Sequence, residues 1–301
     1  MMKVFPLRIR RHGMTKHGHA AAAASKHACC DRCRFVCVIY MLLMLAFSAA
    51  CDRVPLNIND LDEAKAAISQ RDWPRAERLL ERYLRTEERP QQRWEAWTLL
   101  VDAYSRVNLD QNSALGQLET MLQEFAQDAG KEKLILARLG ALHENLGHIS
   151  QAVAVWERYA QLGSLTDQEA ANVQRTLGHL HFRQRRFDLA EEALQTCRAL
   201  PVEESFRAWC LYDLALANMA RDELDDARDQ AIQVLSMKAD DLLRGLAGFL
   251  LADMLEQQGL RAEALSRFES VQSLYPNAMV VDNRIAHLKK KLQSSPGSSK
   301  P

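Results

Sequence analysis

Between residues 139 and 271 one phrase recurs four times, and it constrains the chain more than anything else in the sequence. It reads Leu139-Gly140, His143, Gly147, Ala152, Trp156, Tyr159; then Leu177-Gly178, His181, Arg185, Ala190, Leu194, Cys197. It returns as Leu214-Ala215, Asn218, Asp222, Ala227, Ala231, Val234, and as Leu251-Ala252, Leu255, Gly259, Ala264, Phe268, Val271, closed by Pro276. A pattern that returns at a fixed step describes one structural unit stacked on copies of itself, each burying its apolar face against the next. Within each copy a large and a small residue stand side by side, and an Ala follows twelve positions after the small one. Close packing of two helices asks for such a pattern. A small residue on the first helix (Gly140, Gly178, Ala215, Ala252) faces an Ala on the second (Ala152, Ala190, Ala227, Ala264), and larger residues would push the pair apart. Gly147 and Gly259 supply the tight turn between the two.

These positions resemble the tetratricopeptide repeat (TPR) motif, and the chain is similar to that family over about three quarters of its length. The resemblance implies an all-α fold: a right-handed superhelix, or α-solenoid, of about six antiparallel helix pairs plus a C-terminal capping helix. Ala, Leu, Glu, Arg and Gln dominate the composition, with 12 Gly and 8 Pro in 301 residues, which also favours helix. The step between copies is 37 or 38 residues, against a family period of about 34. Two weaker copies precede the four. One rests on Ala64, Ala67, Trp73, Ala76 and Leu80; the other, on Trp97, Leu100, Val101, Tyr104, Ala114 and Leu118, fits only with a one-residue slip. The expected organisation is an export signal over 1–50, a linker over 51–59, repeats over 60–276, a polar-backed capping helix over 277–292 and a flexible tail over 293–301.

The N-terminal fifty residues read as an address. Phe35 to Ala50 carries no charge, Arg32 and Arg34 precede it, and small residues end it. The run is short for a transmembrane helix, which needs about 20 apolar residues, and its layout is that of an export signal. Phe47-Ser-Ala-Ala-Cys51 resembles the lipobox of bacterial lipoproteins, which implies lipidation of Cys51; Ser48 stands where that family usually has Leu, and an uncleaved signal anchor is the alternative. Both place the body outside the cytoplasm, because the Arg-flanked side stays in. The stretch before the signal is long for its basic part, so Met14 is a second candidate start.

Eight of the 39 bases and one of the 39 acids fall within residues 1–50, so the rest of the chain carries a net charge of −7. An acidic body speaks against nucleic acid as a partner, because phosphate binding needs a basic face. No Gly-rich phosphate loop or nucleophile elbow is present. His143-Glu144 and His148 look like a zinc-protease helix, but five-residue spacing turns two helical histidines about 140° apart. His27, Cys29, Cys30, Cys33 and Cys37 crowd together without a folded cage to close a zinc site. We therefore expect neither enzyme activity, nor a metal site, nor a cofactor.

Cys197 and Cys210 flank the turn at Pro201 on neighbouring helices. An exported protein can join them in a disulfide, or they can serve as small buried apolar residues; helix pairs rarely bring Cα atoms within about 7 Å.

In TPR proteins the first helix of each pair lines the inner face, at positions that packing does not use. Carried over, this offers Asn172, Arg175, His179, Phe182 and Arg183 in the fourth pair, and Trp209, Tyr212, Leu216 and Met219 in the fifth. The third pair offers Ala137, Ala141 and Glu144, and the sixth offers Phe249, Asp253 and Glu256. A Trp-Tyr-Leu-Met stripe on a face that should be wet suits the anchoring of a peptide. The function implied is a lipid-anchored periplasmic scaffold that holds segments of other envelope proteins. Asp52 behind the lipobox resembles an inner-membrane retention signal. The alternative is a glycan-binding or enzyme-regulating lipoprotein acting on the cell wall or an exported polysaccharide, since aromatic rings also stack on sugars.

Overall fold

The computed structural model describes residues 59–106 and 111–294. The export signal, the thiol cluster at 27–37, Cys51 with the linker up to residue 58, and residues 295–301 of the tail lie outside the described residues. Among the described residues are thirteen helices and no strand. The first two pairs are α1 (Asp60–Ser69) with α2 (Trp73–Thr86) and α3 (Pro90–Arg106) with α4 (Gln111–Phe125). The next two are α5 (Ala129–Asn145) with α6 (Ile149–Ala160) and α7 (Asp167–Arg183) with α8 (Phe187–Ala199). Then come α9 (Glu204–Ala220) with α10 (Leu224–Ser236) and α11 (Asp241–Gln257) with α12 (Arg261–Val271), and α13 (Ala278–Ser294) closes the array. The architecture is the α-solenoid of six helix pairs and a cap that the repeat implies.

The first helices α5, α7, α9 and α11 each span 17 residues, and their partners 11 to 13. Short polar caps mark the start of α5, α7 and α11. The Asp128 and Asp240 carboxylates accept from the backbone N–H of Lys131 and Leu243. Thr166 and Glu169 cap α7 reciprocally, each side chain accepting from the other's backbone N–H.

The turn inside each pair is built the same way in all five pairs where it is described. One residue takes the left-handed conformation: Arg71, Gly147, Arg185, Asp222 and Gly259, with φ between 60° and 82°. The N–H of the next residue then reaches back to the carbonyl five positions earlier, as in His148 to His143 and Glu223 to Asn218, at 2.9 Å in every case. This αL exit satisfies carbonyls that a helix end leaves open. The sequence marks it with Gly only twice; Arg71, Arg185 and Asp222 adopt it because the following helix must return antiparallel within three residues.

Ala152, Ala190, Ala227 and Ala264 are fully buried, as the repeat requires. At Gly140 and Gly178 the atoms nearest an added Cβ belong to a second residue of the partner helix. A Cβ built on Gly140 would collide with the Trp156 ring, and one on Gly178 would stand 2.6 Å from Leu194 Cγ, so each small residue faces the large residue four positions beyond the Ala. Side chains on a helix lean toward its N-terminus, so Trp156 and Leu194 cover the turn before their own Cα. Where the second helix carries Ala231 at that position, the first carries Ala215, and both are fully buried.

Candidate partner-binding face

On α7 and α9 the first-helix face is organised by a carboxylate absent from the expected set. Asp213 lies in the middle of α9 and is only 7% exposed. A carboxylate so far from water needs partners, and α7 supplies two. Arg175 Nε donates to Asp213 Oδ2, and His179 Nε2 lies 2.8 Å from the same oxygen. The Arg175 guanidinium also lies over the Trp209 ring, 4.9 Å from its centroid. Trp209 in turn meets Tyr212 edge to face, with centroids 6.1 Å apart. Arg175, His179, Asp213, Trp209 and Tyr212 thus form one connected cluster across the α7–α9 seam.

The expected residues divide into two kinds. Asn172, His179, Phe182 and Arg183 are exposed on α7; Asn172 accepts a hydrogen bond from Gln168 one turn earlier, and Phe182 meets Phe187 edge to face at 5.5 Å. Trp209, Tyr212, Leu216 and Met219 are half-buried. Trp209 and Tyr212 pack on a core that includes Leu243 and Ala247 of α11. Tyr212, Leu216 and Met219 also pack on Leu250, Leu251 and Met254. The α9 stripe is therefore largely taken up by the seam with α11, while α7 presents the open part of the face. Burial, then the charges of Asp213 and Tyr275, push the Tyr212 hydroxyl up to about 12, so it stays a neutral donor at physiological pH.

On α11, Phe249 stacks on Tyr275 at 4.3 Å and meets Phe268 at 5.1 Å. Asp253 and Glu256 both face Arg284 of the capping helix. In the third pair, Glu144 accepts from the indole N–H of Trp156. The residues that sequence reasoning missed here are Asp213, Tyr275 and Arg284. Asp213 carried a signal: an acid between Tyr212 and Leu214 in an otherwise uncharged helical stretch has to be paired.

The structure joins Cys197 and Cys210 in a disulfide with Cα atoms 5.9 Å apart. Both residues are fully buried, and they share a small core with Ala171 of α7. The four-residue link between α8 and α9 is short enough to bring the end of one helix beside the second turn of the other. His143 and His181 are buried with Nδ1 unpartnered. His148 caps α6 and is not part of α5, so a helical angle does not describe its relation to His143; the two rings lie 5.7 Å apart. Among the described residues no group of His, Cys, Asp and Glu is placed to hold a metal ion, and no helix is long and apolar enough to cross a membrane.

The fold defined by these pairs is that of the tetratricopeptide-repeat solenoids. Solved structures with the same fold include a tetratricopeptide repeat protein from Parabacteroides merdae, with 16% identity and a TM-score of 0.51 over 80% of this chain and 93% of that one. The C-terminal part of a TPR repeat-containing protein from Cytophaga hutchinsonii matches with 13% identity and a TM-score of 0.51, over 71% and 78% of the two chains. The TPR-like repeats of a putative kinesin light chain from Podospora anserina match with 19% identity and a TM-score of 0.50, over 62% and 97%. No protein-family model matches the sequence, and no curated protein matches it.

Proposed function

We propose that this chain is a non-enzymatic scaffold, anchored by a lipid on Cys51 at the periplasmic side of a bacterial membrane, that holds a segment of another envelope protein on the face formed by α7 and α9. The observation that carries the binding part is the cluster around Asp213. It fixes Trp209 and Arg175 rigidly while leaving His179, Phe182 and Arg183 open beside them, which is the combination of a set anchor and an accessible rim that protein interfaces use. A protein segment suits this face better than a sugar does, because the Arg175 guanidinium already occupies a face of the Trp209 ring that a sugar would need. The export part is supported by the apolar run before Cys51 and by the buried disulfide, since such bonds persist in oxidising compartments. Asp52 favours the inner membrane.

Photoreactive residues at positions 182 and 183, irradiated in living cells, should capture one envelope protein, and Arg183→Glu should abolish the capture. Absence of any specific product at both positions removes this face as the binding site. Cys51→Ser should block processing and labelling by a fatty-acid analogue; labelling that persists in the variant excludes the lipid anchor.

A further inference from the structure

We propose that oxidation of Cys197 and Cys210 is a maturation step of the binding face: the bond between α8 and α9 holds Trp209 and Asp213 in register with Arg175 of α7. The inference rests on the reading of the α7–α9 face as the binding surface, but its test reads the geometry of that face without a partner.

Three helices meet at the bond. Cys197 comes from the last turn of α8 and Cys210 from the second turn of α9, and Ala171 from the second turn of α7 belongs to the same buried cluster. Leu200, Val202 and Phe206 pack against the cluster. Ala171 and both cysteines are 0% exposed, so neither sulfur is reached by solvent. Without the bond, α8 and α9 are held together at this point by packing alone, and the two helices regain freedom to shift against each other. The movable element is α9, which the bond ties to α8. Trp209 adjoins Cys210, Asp213 follows it by one turn, and Arg175 follows Ala171 by one turn, so the cluster lies one turn along the seam from the bond. A displaced α9 would lift Trp209 from the guanidinium and draw Asp213 away from Arg175 and His179.

The chemistry is thiol–disulfide exchange. Cys197 and Cys210 each give up a thiol proton, the Sγ–Sγ bond forms, and the two electrons reduce the disulfide of a thiol oxidoreductase, which leaves as a dithiol. With both sulfurs out of reach of solvent, the exchange takes place while the chain folds, and the finished bond resists a dithiol as long as α8 and α9 stay together.

The full-length protein provides the test. Trypsin under non-reducing conditions should release peptide 187–198 linked to peptide 208–221, and alkylation in denaturant without reductant should leave both cysteines unmodified. Recovery of the two peptides alkylated and separate would overturn the proposal. Amide hydrogen exchange then compares the oxidised chain with Cys197→Ala/Cys210→Ala, which removes the bond without crowding the seam. Exchange over residues 208–216 should accelerate about tenfold or more in the variant, while α5 and α6 change little, because the opening is local. The interaction between Arg175 and Asp213, measured in a double-mutant cycle with Arg175→Met and Asp213→Asn, should fall in the same background. A bond that acts only on the unfolded chain would instead speed exchange everywhere and leave that interaction intact. Either of those results, or wild-type protection at 208–216 without the bond, overturns the positioning role.

Discussion

A Cβ carbon added to Gly178 would stand 2.6 Å from Leu194 Cγ, closer than two carbons approach in any packed interior. Gly178→Ala should therefore destabilise the protein by about 1–3 kcal/mol through overpacking. Gly178→Ala combined with Leu194→Ala should not add the two losses, because the second change makes room for the first. Urea denaturation of the three variants measures this; strictly additive losses would show that the two residues do not share the seam.

The five left-handed turns give a second expectation with opposite signs. At Gly147 a Cβ would meet nothing within 4 Å, so Gly147→Ala isolates the backbone cost of φ at 73°, about 1–2 kcal/mol. Asp222, at φ 66° and exposed, already bears that strain. Asp222→Gly should raise stability by up to about 1 kcal/mol, after the entropy that Gly adds to the unfolded chain is deducted. Melting temperatures that move together in both variants would contradict the assignment of these turns.

Acid should weaken the array through His143 and His181. Burial lowers the pKa of both imidazoles below the ordinary value, so the folded chain favours the neutral ring and the unfolded chain binds more protons. Stability from these two groups is complete above about pH 6.5 and is lost as pH falls from there through their folded values. Leu255 stands at the same repeat position in the sixth pair, so His181→Leu is a natural replacement. Its denaturation midpoint should fall less than that of the wild type between pH 7 and pH 5; an unchanged acid limb would remove His181 as a source of the dependence.

Truncation separates the two kinds of residue on the proposed binding face. Tyr212 is half-buried against α11, so Tyr212→Ala should cost about 3 kcal/mol of stability, and a loss of binding in that variant would not be interpretable alone. Arg183 is exposed on α7, and Arg183→Ala should leave stability within about 0.5 kcal/mol. Thermal melting of both decides which is fit for binding experiments; a sharp drop for Arg183→Ala would reverse the assignment.

The fold was legible because its information is periodic: small and large residues recur at constant offsets, and one copy corroborates the next. The seam contacts were less so, since sequence offsets do not carry the lean of side chains that brings Leu194 nearest to Gly178. The left-handed turns at Arg71, Arg185 and Asp222 were hidden because only Gly announces that conformation. The candidate face was legible by position but not by exposure. Repeat register put Trp209 and Tyr212 on the first-helix face, yet whether a neighbouring helix covers them depends on the spacing between α9 and α11, which no single repeat records. Asp213 was readable as a buried acid, but its partners lie 38 and 34 residues away in sequence.

The capping helix has one more consequence. α13 buries Val281, Ile285 and Leu288 against the array, and Arg284 reaches Asp253 and Glu256 above the Phe268 ring. Its other side shows Asn283, Ala286, His287 and Lys290 to solvent. A stack of like units has an end that could receive the front of another molecule, and head-to-tail association of that kind does not close; it runs on into a filament. With Val281, Ile285 and Leu288 turned inward, α13 offers a further unit little apolar surface to stack on beyond Met279 and Val280 in its first turn.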